Sequence, residues 1–276
     1  MLGVFDSGFG GLTVLKAIHD RLPTLSTIYL GDNARAPYGT RTHEEIFQFA
    51  LEGVRELFAR GCPLIIFACN TASAQALRQI QQTILPVEFP DRRVLGVIRP
   101  TAEEIVSLTK TRHIGVMATP ATVQSKAYLR EIADAAGTTS ITITQIACPG
   151  IVEFIEAGYE QSAEADELVA EYTHDLIRHD PTIDAILLGC THYPLVEPLF
   201  RKHLPPSVTI INQGKIIADK LADYLDRHSE ILTRIEQTYR RVYLTTKQNE
   251  NLSSLASTFY GSPIAFEQLT TKFHQA

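Results

Sequence analysis

The chain has 276 residues, 45% of them hydrophobic and 20% charged, proportions that are typical of folded globular proteins and exclude a disordered or low-complexity chain. Its 25 basic and 31 acidic residues give a net charge of −6, which argues against a basic nucleic-acid-binding surface. The longest purely apolar runs, such as Leu64–Cys69 and Ala185–Leu188, are far shorter than the roughly 20 residues of a membrane span. We therefore expect neither nucleic acid nor membrane as a partner.

The N-terminal segment predicts no export signal, because Asp6 interrupts its first apolar stretch and no basic segment precedes it. The four cysteines are too few for a disulfide scaffold in a chain of this length. We therefore expect a cytoplasmic protein whose cysteines, at positions 62, 69, 148 and 190, are free thiols.

Short apolar runs recur along the chain, and each is followed by a helical pattern. The runs show little polar alternation, as expected for parallel strands that are buried on both faces. This order of elements predicts an α/β fold with mostly parallel sheets. The predicted strands are Leu2–Phe5, Thr27–Leu30, Leu64–Ala68, Val94–Ile98, Ile114–Ala118, Ile141–Ile146, Ile183–Leu188 and Val208–Ile211.

Several predicted helices have readable ends. A capping-box pattern opens at Thr42, and apolar residues follow on one helical face up to Gly61, which predicts the helix end. Pro100 and Pro120 each predict the start of a further helix, the second of which is expected to end near Gly137.

Part of the chain resembles another part. The strand that ends at Cys69 resembles the strand that ends at Cys190, and in both cases polar, hydroxyl-bearing residues follow. Upstream of them, residues 3–7 resemble residues 115–119. The pattern predicts two pseudo-symmetric α/β domains that face each other across a cleft. Ligands of such sheets bind beyond the carboxyl ends of the strands, where both cysteines are expected.

A glycine-rich segment follows the first strand. Its glycines would let the backbone approach a ligand closely, and Ser7 adds a hydroxyl group, but Thr13 stands where a dinucleotide-binding motif needs glycine. Asp6 either caps a tight turn or binds an ammonium group and assists a proton transfer. In the loop after the second strand, Tyr38 and the N–H group of Gly39 could bind a carboxylate, although a plain connection fits this loop equally well.

Cys69 and Cys190 are the sharpest features of the sequence. A thiol at a helix N-terminus has its thiolate form stabilised by the helix dipole, and it can act as a general base or a general acid. Two such thiols on opposite sides of a substrate could invert a stereocentre, since one removes a proton and the other returns it from the far face. His192 could control the proton of Cys190, and Asp6 that of Cys69.

Three other interpretations compete with the paired thiols. A free cysteine is usually a small core residue, and we expect that role for Cys62 and Cys148. A zinc hydrolase could use the two strand-end cysteines with Asp6 and His192, but no pair has the usual short ligand spacing. An amino-acid-binding module would share the two-domain cleft, but it would lack paired thiols and would need an export signal.

At these motifs the sequence resembles the glutamate racemase family of the aspartate/glutamate racemase superfamily. The matching segments occur in the family's order and are spread over most of the chain. They are Gly3-Val4-Phe5-Asp6-Ser7-Gly8, Gly10-Gly11-Leu12, Pro37-Tyr38-Gly39, Cys69-Asn70-Thr71-Ala72-Ser73, Gly96-Val97-Ile98, Pro100, and Leu188-Gly189-Cys190-Thr191-His192-Tyr193-Pro194.

The resemblance implies a second domain, residues 98–208, inserted into a first domain that comprises residues 1–97 and 209–276. It implies a cofactor-independent and metal-free racemase, with Cys69 and Cys190 as the two proton donors and acceptors. Asp6 and His192 are similar to the family's assisting residues. The substrate-binding positions it implies are Asp6, Ser7, Tyr38, Gly39, Asn70, Thr71, Thr191 and His192.

The implied substrate is glutamate, and the implied product is D-glutamate for peptidoglycan in a bacterial cytoplasm. Aspartate is the alternative substrate, and a homodimer is a candidate assembly because dimers are common in the family, although no segment of the sequence identifies an interface. The segment from Cys148 onwards departs from the family's usual pattern. Glu153 and Glu156 therefore both remain candidates for the acidic residue that some members use there.

Overall fold

The structure, a computed structural model, describes residues 1–247 and 252–269. In this part of the chain, ten strands form two sheets in which every strand pair is parallel. The strands are β1 (Leu2–Asp6), β2 (Thr27–Gly31), β3 (Leu64–Phe67), β4 (Arg93–Gly96), β5 (His113–Ala118), β6 (Thr142–Ala147), β7 (Ala185–Gly189), β8 (Thr209–Ile211), β9 (Arg241–Thr245) and β10 (Glu267–Gln268).

The two sheets share one strand order, which confirms the predicted fold class of two pseudo-symmetric α/β domains. The larger sheet has the order β10-β9-β2-β1-β3-β4, and the smaller has β6-β5-β7-β8. The first strand of each half therefore lies between the second and the third. In this correspondence β1 matches β5 and β3 matches β7, the pairs that the internal resemblance predicts.

The strand pairing corrects one predicted domain boundary. The larger sheet takes strands from both ends of the chain, but β8 pairs with β7 in the smaller sheet, with Leu187 opposite Ile211. The boundary predicted at residue 209 assigns β8 to the other domain and is wrong, because this strand completes the edge of the second sheet. Residues 248–251 and 270–276 of the predicted first domain lie outside the described residues.

Helices connect the strands and cover the sheets. They are α1 (Leu12–Arg21), α2 (His43–Ala59), α3 (Asn70–Gln75), α4 (Leu77–Gln79), α5 (Leu85–Glu88), α6 (Ile98–Leu108), α7 (Pro120–Ser125), α8 (Ala127–Ala136), α9 (Ile151–Glu156), α10 (Ala163–His179), α11 (Glu197–His203), α12 (Gln213–Arg227), α13 (Ser229–Leu232) and α14 (Leu252–Tyr260), with 3₁₀ turns at Tyr38–Thr40 and Tyr193–Val196 and a π-helical turn at Ile80–Ile84. None of these described helices is long and apolar enough to cross a membrane.

Two of the predicted helix starts can be compared with the structure directly. The capping box before α2 is confirmed: Thr42 Oγ1 accepts from the N–H of Glu45, whose carboxylate accepts from the N–H of Thr42. The helix predicted at Pro100 begins two residues earlier, at Ile98. Pro100 lies in the first turn, where a missing N–H group leaves no helical hydrogen bond unmade.

The stretch from Pro120 to Gly137 is two helices rather than the single helix predicted. Lys126 has a left-handed backbone with φ of 56°, which ends α7. The hydroxyl group of Ser125 accepts a hydrogen bond from the N–H of Ala127 at 3.0 Å and so satisfies the first residue of α8. The break places Tyr128 at the start of a separate helix that faces the first domain.

Each sheet is buried on both faces, as predicted from apolar runs that show little alternation with polar residues. In the first domain, Phe5 packs with α2, whereas Val4 packs in the cluster that contains α1 and α12. In the second domain, Val116 packs with α6 and α8, and Met117 packs in the cluster that contains α10. This layering leaves the carboxyl ends of the central strands of both sheets free to face each other.

Candidate active site

Side chains from both domains line one small cavity beyond the carboxyl ends of the central strands. Its volume is about 30 Å³, room for no more than a few water molecules. Every predicted site residue except Asp6 lines this cavity. The polar and thiol lining residues are Ser7, Tyr38, Gly39, Thr40, Cys69, Asn70, Thr71, Thr119, Cys148, Glu153, Glu156, Cys190, Thr191 and His192.

Cys69 lies on the first-domain side of the cavity, as the N-cap residue of α3. Its Sγ atom accepts a hydrogen bond from the N–H of Ala72 at 3.4 Å and lies 3.4 Å from Ser7 Oγ. Burial, followed by the negative charge of Asp6, raises the pKa of Cys69 to about 12, and the hydrogen bonds from Ser7 and the helix N-terminus lower it by less. Burial therefore outweighs the predicted helix-dipole effect, and Cys69 holds a proton at neutral pH.

Cys190 lies on the second-domain side, at the end of β7, within a chain of three side chains. Its Sγ atom is 3.9 Å from His192 Nδ1, and His192 Nε2 is 3.0 Å from Glu156 Oε1. Burial alone would lower the pKa of His192, but its contacts with Cys190 and Glu156 raise it to about 10. His192 is therefore an imidazolium at neutral pH, with one N–H directed at a carboxylate and the other at sulfur.

The structure distinguishes between the two carboxylates that the sequence left open. Both Glu153 and Glu156 line the cavity, but it is Glu156 that pairs with His192. The two residues occupy neighbouring positions on one turn of α9, and only tertiary contact with β7 shows which of them reaches the imidazole.

Asp6 is buried behind the glycine-rich turn rather than in the cavity wall. Its Oδ2 atom accepts a hydrogen bond from the N–H of Gly8 at 2.9 Å, and Oδ1 has no hydrogen-bond partner among the described residues. Burial raises the pKa of Asp6, and the positive charge of His192 opposes that rise. When it is ionised, Asp6 adds negative charge close to Cys69, and its Oδ1 atom is an unused acceptor.

Glycines allow the two domains to come into contact around the cavity. A Cβ atom on Gly10 would lie 2.3 Å from Thr191 Oγ1 and 2.5 Å from His192 Nδ1. A Cβ atom on Gly39 would lie 2.9 Å from Cβ of Thr119. All three distances are too short for a Cβ atom. Glycine at these two positions therefore lets the backbone of the first domain approach site residues of the second domain.

A cluster of three buried hydroxyl groups also joins the domains, and two of its members were not predicted. Thr71 Oγ1 lies 3.0 Å from Thr119 Oγ1 and 3.2 Å from Thr122 Oγ1, and the latter two are 2.9 Å apart. Thr119 follows β5 as Ser7 follows β1. The resemblance between residues 3–7 and 115–119 could therefore have predicted Thr119 as a site residue. Hydroxyl groups in such a cluster can donate to a carboxylate.

The side chain of Tyr38 does not present its hydroxyl group to the cavity. That group donates to Asp32 Oδ2 at 2.5 Å, so a carboxylate could use the backbone here but not the phenol. The four residues considered for zinc do not converge either: the described part of the chain contains no group of three or more His, Cys, Asp or Glu side chains that could hold a metal ion.

Comparison with known proteins gives this arrangement a family. The profile of the Asp/Glu/Hydantoin racemase family matches residues 10–221. The chain belongs to this family. The chain is an amino-acid racemase, an isomerase, as its relatives named glutamate racemases show, and this argues against the hydrolase and the non-catalytic binding module considered above.

Several relatives and solved structures resemble the chain over nearly its whole length. The glutamate racemase of Paracoccus denitrificans (strain Pd 1222) is 45% identical over 276 residues, covering 96% of this chain and 98% of the relative. The crystal structure of the glutamate racemase isoform RacE1 from Bacillus anthracis has a TM-score of 0.87 at 34% identity, covering 98% of this chain and 97% of that one. The glutamate racemase of Francisella tularensis, solved in complex with D-glutamate, has a TM-score of 0.86 at 30% identity, covering the same shares of the two chains.

Proposed function

We propose that the enzyme interconverts L- and D-glutamate by moving the Cα proton between two thiols, without a cofactor or a metal ion. The observation that carries this proposal is that Cys69 and Cys190 line one cavity from opposite domains. The substrate is inferred from the relatives, which are named glutamate racemases at 40–45% identity. The alternative substrate, aspartate, has no comparable support.

In the proposed reaction, one thiolate takes the Cα proton: the C–H bond breaks, an S–H bond forms, and the electron pair moves toward the α-carboxylate. The opposite thiol then donates its proton to the other face of Cα. The first cysteine ends as a thiol and the second as a thiolate, so the two directions of reaction start from two different protonation forms of the enzyme.

The surroundings of Cys69 support a form of the enzyme in which Cys69 carries the proton. The raised pKa of Cys69 keeps its thiol protonated, whereas the imidazolium of His192 faces the sulfur of Cys190. In this form Cys190 acts as the base and Cys69 as the acid. Glu156 acts on Cys190 through His192 and is therefore a positioning residue.

The remaining predicted residues would bind the amino acid. Asp6 does not line the closed cavity, so its unused carboxylate oxygen would reach the ammonium group only after the glycine-rich turn in front of it has moved. The hydroxyl groups of Ser7, Thr71 and Thr191, together with the N–H of Gly39, are suited to the two carboxylates. Because the cavity has room for no more than a few water molecules, we propose that the domains separate to admit glutamate and close again to give a dry site in which these contacts are strong.

The proposed product, D-glutamate, would serve peptidoglycan synthesis in the cytoplasm. The test of the proposed reaction is proton NMR with L-glutamate in D₂O, with EDTA present and pyridoxal phosphate absent. Loss of the α-proton signal together with decay of circular dichroism to zero is expected. Exchange with aspartate but not with glutamate would change the substrate, and exchange with neither would overturn the proposal.

A further inference from the structure

Three buried polar side chains beside Cys69 form a closed ring of hydrogen bonds. The hydroxyl group of Tyr128 donates to Asn70 Oδ1 at 2.5 Å, Asn70 Nδ2 donates to Gln213 Oε1 at 2.6 Å, and Gln213 Nε2 donates to the Tyr128 oxygen at 2.7 Å. Within the ring, each member therefore donates one hydrogen bond and accepts one. All three side chains are buried, so these polar groups depend on each other for partners.

The ring fixes the orientation of the Asn70 amide. Thr101 Oγ1 donates to the carbonyl oxygen of Val97 at 2.6 Å and therefore accepts from Gln213 Nε2, which sets the Gln213 amide. A reversed Asn70 amide would then turn its oxygen toward the oxygen of Gln213, and two acceptors would meet in a buried site. Asn70 Nδ2 carries two N–H bonds, of which Gln213 accepts one. Asn70 also lines the cavity, and we infer that its second N–H serves a ligand there.

The ring also lies where the chain passes between the domains. Asn70 is the first residue of α3 in the first domain, and Tyr128 lies in α8 of the second. Gln213 is the first residue of α12, directly after the chain leaves β8. Its Nε2 atom also lies 3.1 Å from Thr101 Oγ1 in α6, the helix that follows β4 at the first crossing. The ring thus connects Asn70, which lines the cavity, to both segments in which the chain passes between the domains, one after β4 and one after β8.

We propose that Tyr128 and Gln213 are positioning residues that hold the Asn70 side chain ready to donate to a carboxylate of the substrate when the domains are closed. This inference rests on the proposed function, because the carboxylate is that of the proposed amino-acid substrate. It assigns the two residues a role through Asn70 rather than a contact with the reacting atoms.

A double-mutant cycle on kcat/KM separates this role from a purely structural one. We expect Tyr128→Phe to lower kcat/KM about tenfold, the effect of one hydrogen bond to a charged group, and Asn70→Ala to lower it further. The double variant should be no worse than Asn70→Ala within about twofold, because Tyr128 acts only through Asn70. The loss in kcat/KM must be equal for L- and D-glutamate. The two enantiomers have equal free energies, so the equilibrium constant is one and kcat/KM must be the same in both directions.

The matched control is Tyr260→Phe. Tyr260 is also buried, and its hydroxyl group lies 2.7 Å from His19 Nδ1, within the first domain. We expect this variant to lower the melting temperature while kcat/KM stays within about twofold of the wild-type value. In the Asn70→Ala background, Tyr260→Phe should change kcat/KM by no more than it does in the wild type.

Two results would overturn the inference: unchanged kcat/KM in Tyr128→Phe, or losses that multiply in the double variant with Asn70→Ala. If Tyr128→Phe does not fold, Gln213→Met takes its place in the same cycle. Methionine has a side chain of similar length to glutamine but lacks the amide that takes part in the ring. A wild-type enzyme that fails to racemise glutamate would overturn the proposed function itself. An active wild type with multiplicative losses overturns the positioning role alone.

Discussion

At the residue scale, the two thiols have similar places in the repeat but different electrostatic surroundings. Cys69 has the carboxylate of Asp6 close by and is protonated, because burial and that negative charge raise its pKa to about 12. Cys190 instead has the imidazolium of His192, which Glu156 holds in place. An acid and a base can therefore coexist in one cavity, because a different charged group lies beside each thiol.

The role of Glu156 predicts a specific pH effect. In Glu156→Gln the carboxylate that helps to raise the pKa of His192 is lost, so the imidazolium should deprotonate at lower pH. We expect kcat to fall about 10- to 100-fold and the alkaline limb of the kcat profile to move to lower pH. Glu153→Gln is the control, because Glu153 lines the same cavity without pairing with His192. An equal alkaline shift in both variants would contradict this assignment.

At the scale of elements, much of the fold could be predicted from the sequence, because strands buried on both faces appear as continuous apolar runs. Strand β9, which lies between β10 and β2, was missed because its residues Arg241 to Tyr243 are exposed or only half-buried and do not form such a run. The assignment of β8 failed for another reason: apolar patterning identifies a strand but not its sheet. The ring of Tyr128 and Gln213 joins residues more than 50 positions from Asn70, which local patterns do not reveal.

The C-terminal helix α14 contributes a contact that was not predicted. The ring of Phe259 meets the ring of His192 edge to face, with centroids 5.1 Å apart and an interplanar angle of 80°. Phe259 is buried, so it keeps water from that side of the imidazole. The far end of the chain thus shields a side chain at the end of β7.

We expect Phe259→Ala to open space beside His192 and to destabilise the fold by about 3–5 kcal/mol. Water that enters should weaken the His192 contacts with Glu156 and Cys190, so that kcat falls about tenfold. Phe259→Leu keeps most of the apolar volume and should recover most of the activity. The measurements are urea denaturation and initial racemisation rates, and an Ala variant with full kcat would refute the shielding role.

At the scale of the whole molecule, site chemistry and stability are linked through buried titratable groups. The pKa of His192 is about 10 in the folded protein against 6.5 for an ordinary histidine. Because the folded value is the higher one, this group contributes stability that is fully present below pH 6.5 and is lost as pH rises through 10. The thiol of Cys69, whose pKa is also raised, acts in the same direction at higher pH.

The difference in unfolding free energy between the wild type and His192→Asn should therefore shrink between pH 6.5 and 10, by on the order of 3–5 kcal/mol. Urea denaturation at several pH values measures it. Thr173→Val is the control: it removes a buried hydroxyl group and no charge, so its difference from the wild type should not vary with pH. A difference for His192→Asn that is constant with pH would contradict the linkage.

The central claim is that two thiols from opposite domains serve opposite faces of one Cα atom. It is tested most directly by α-proton exchange of L- and D-glutamate in D₂O, followed by NMR with Cys69→Ala and Cys190→Ala. A single remaining thiol can reach the α-proton of only one enantiomer, so neither variant should racemise. Each should exchange one enantiomer with retention, and the two variants should choose opposite enantiomers. If both variants exchange the same enantiomer, or if either still racemises at the wild-type rate, the two-thiol account is wrong.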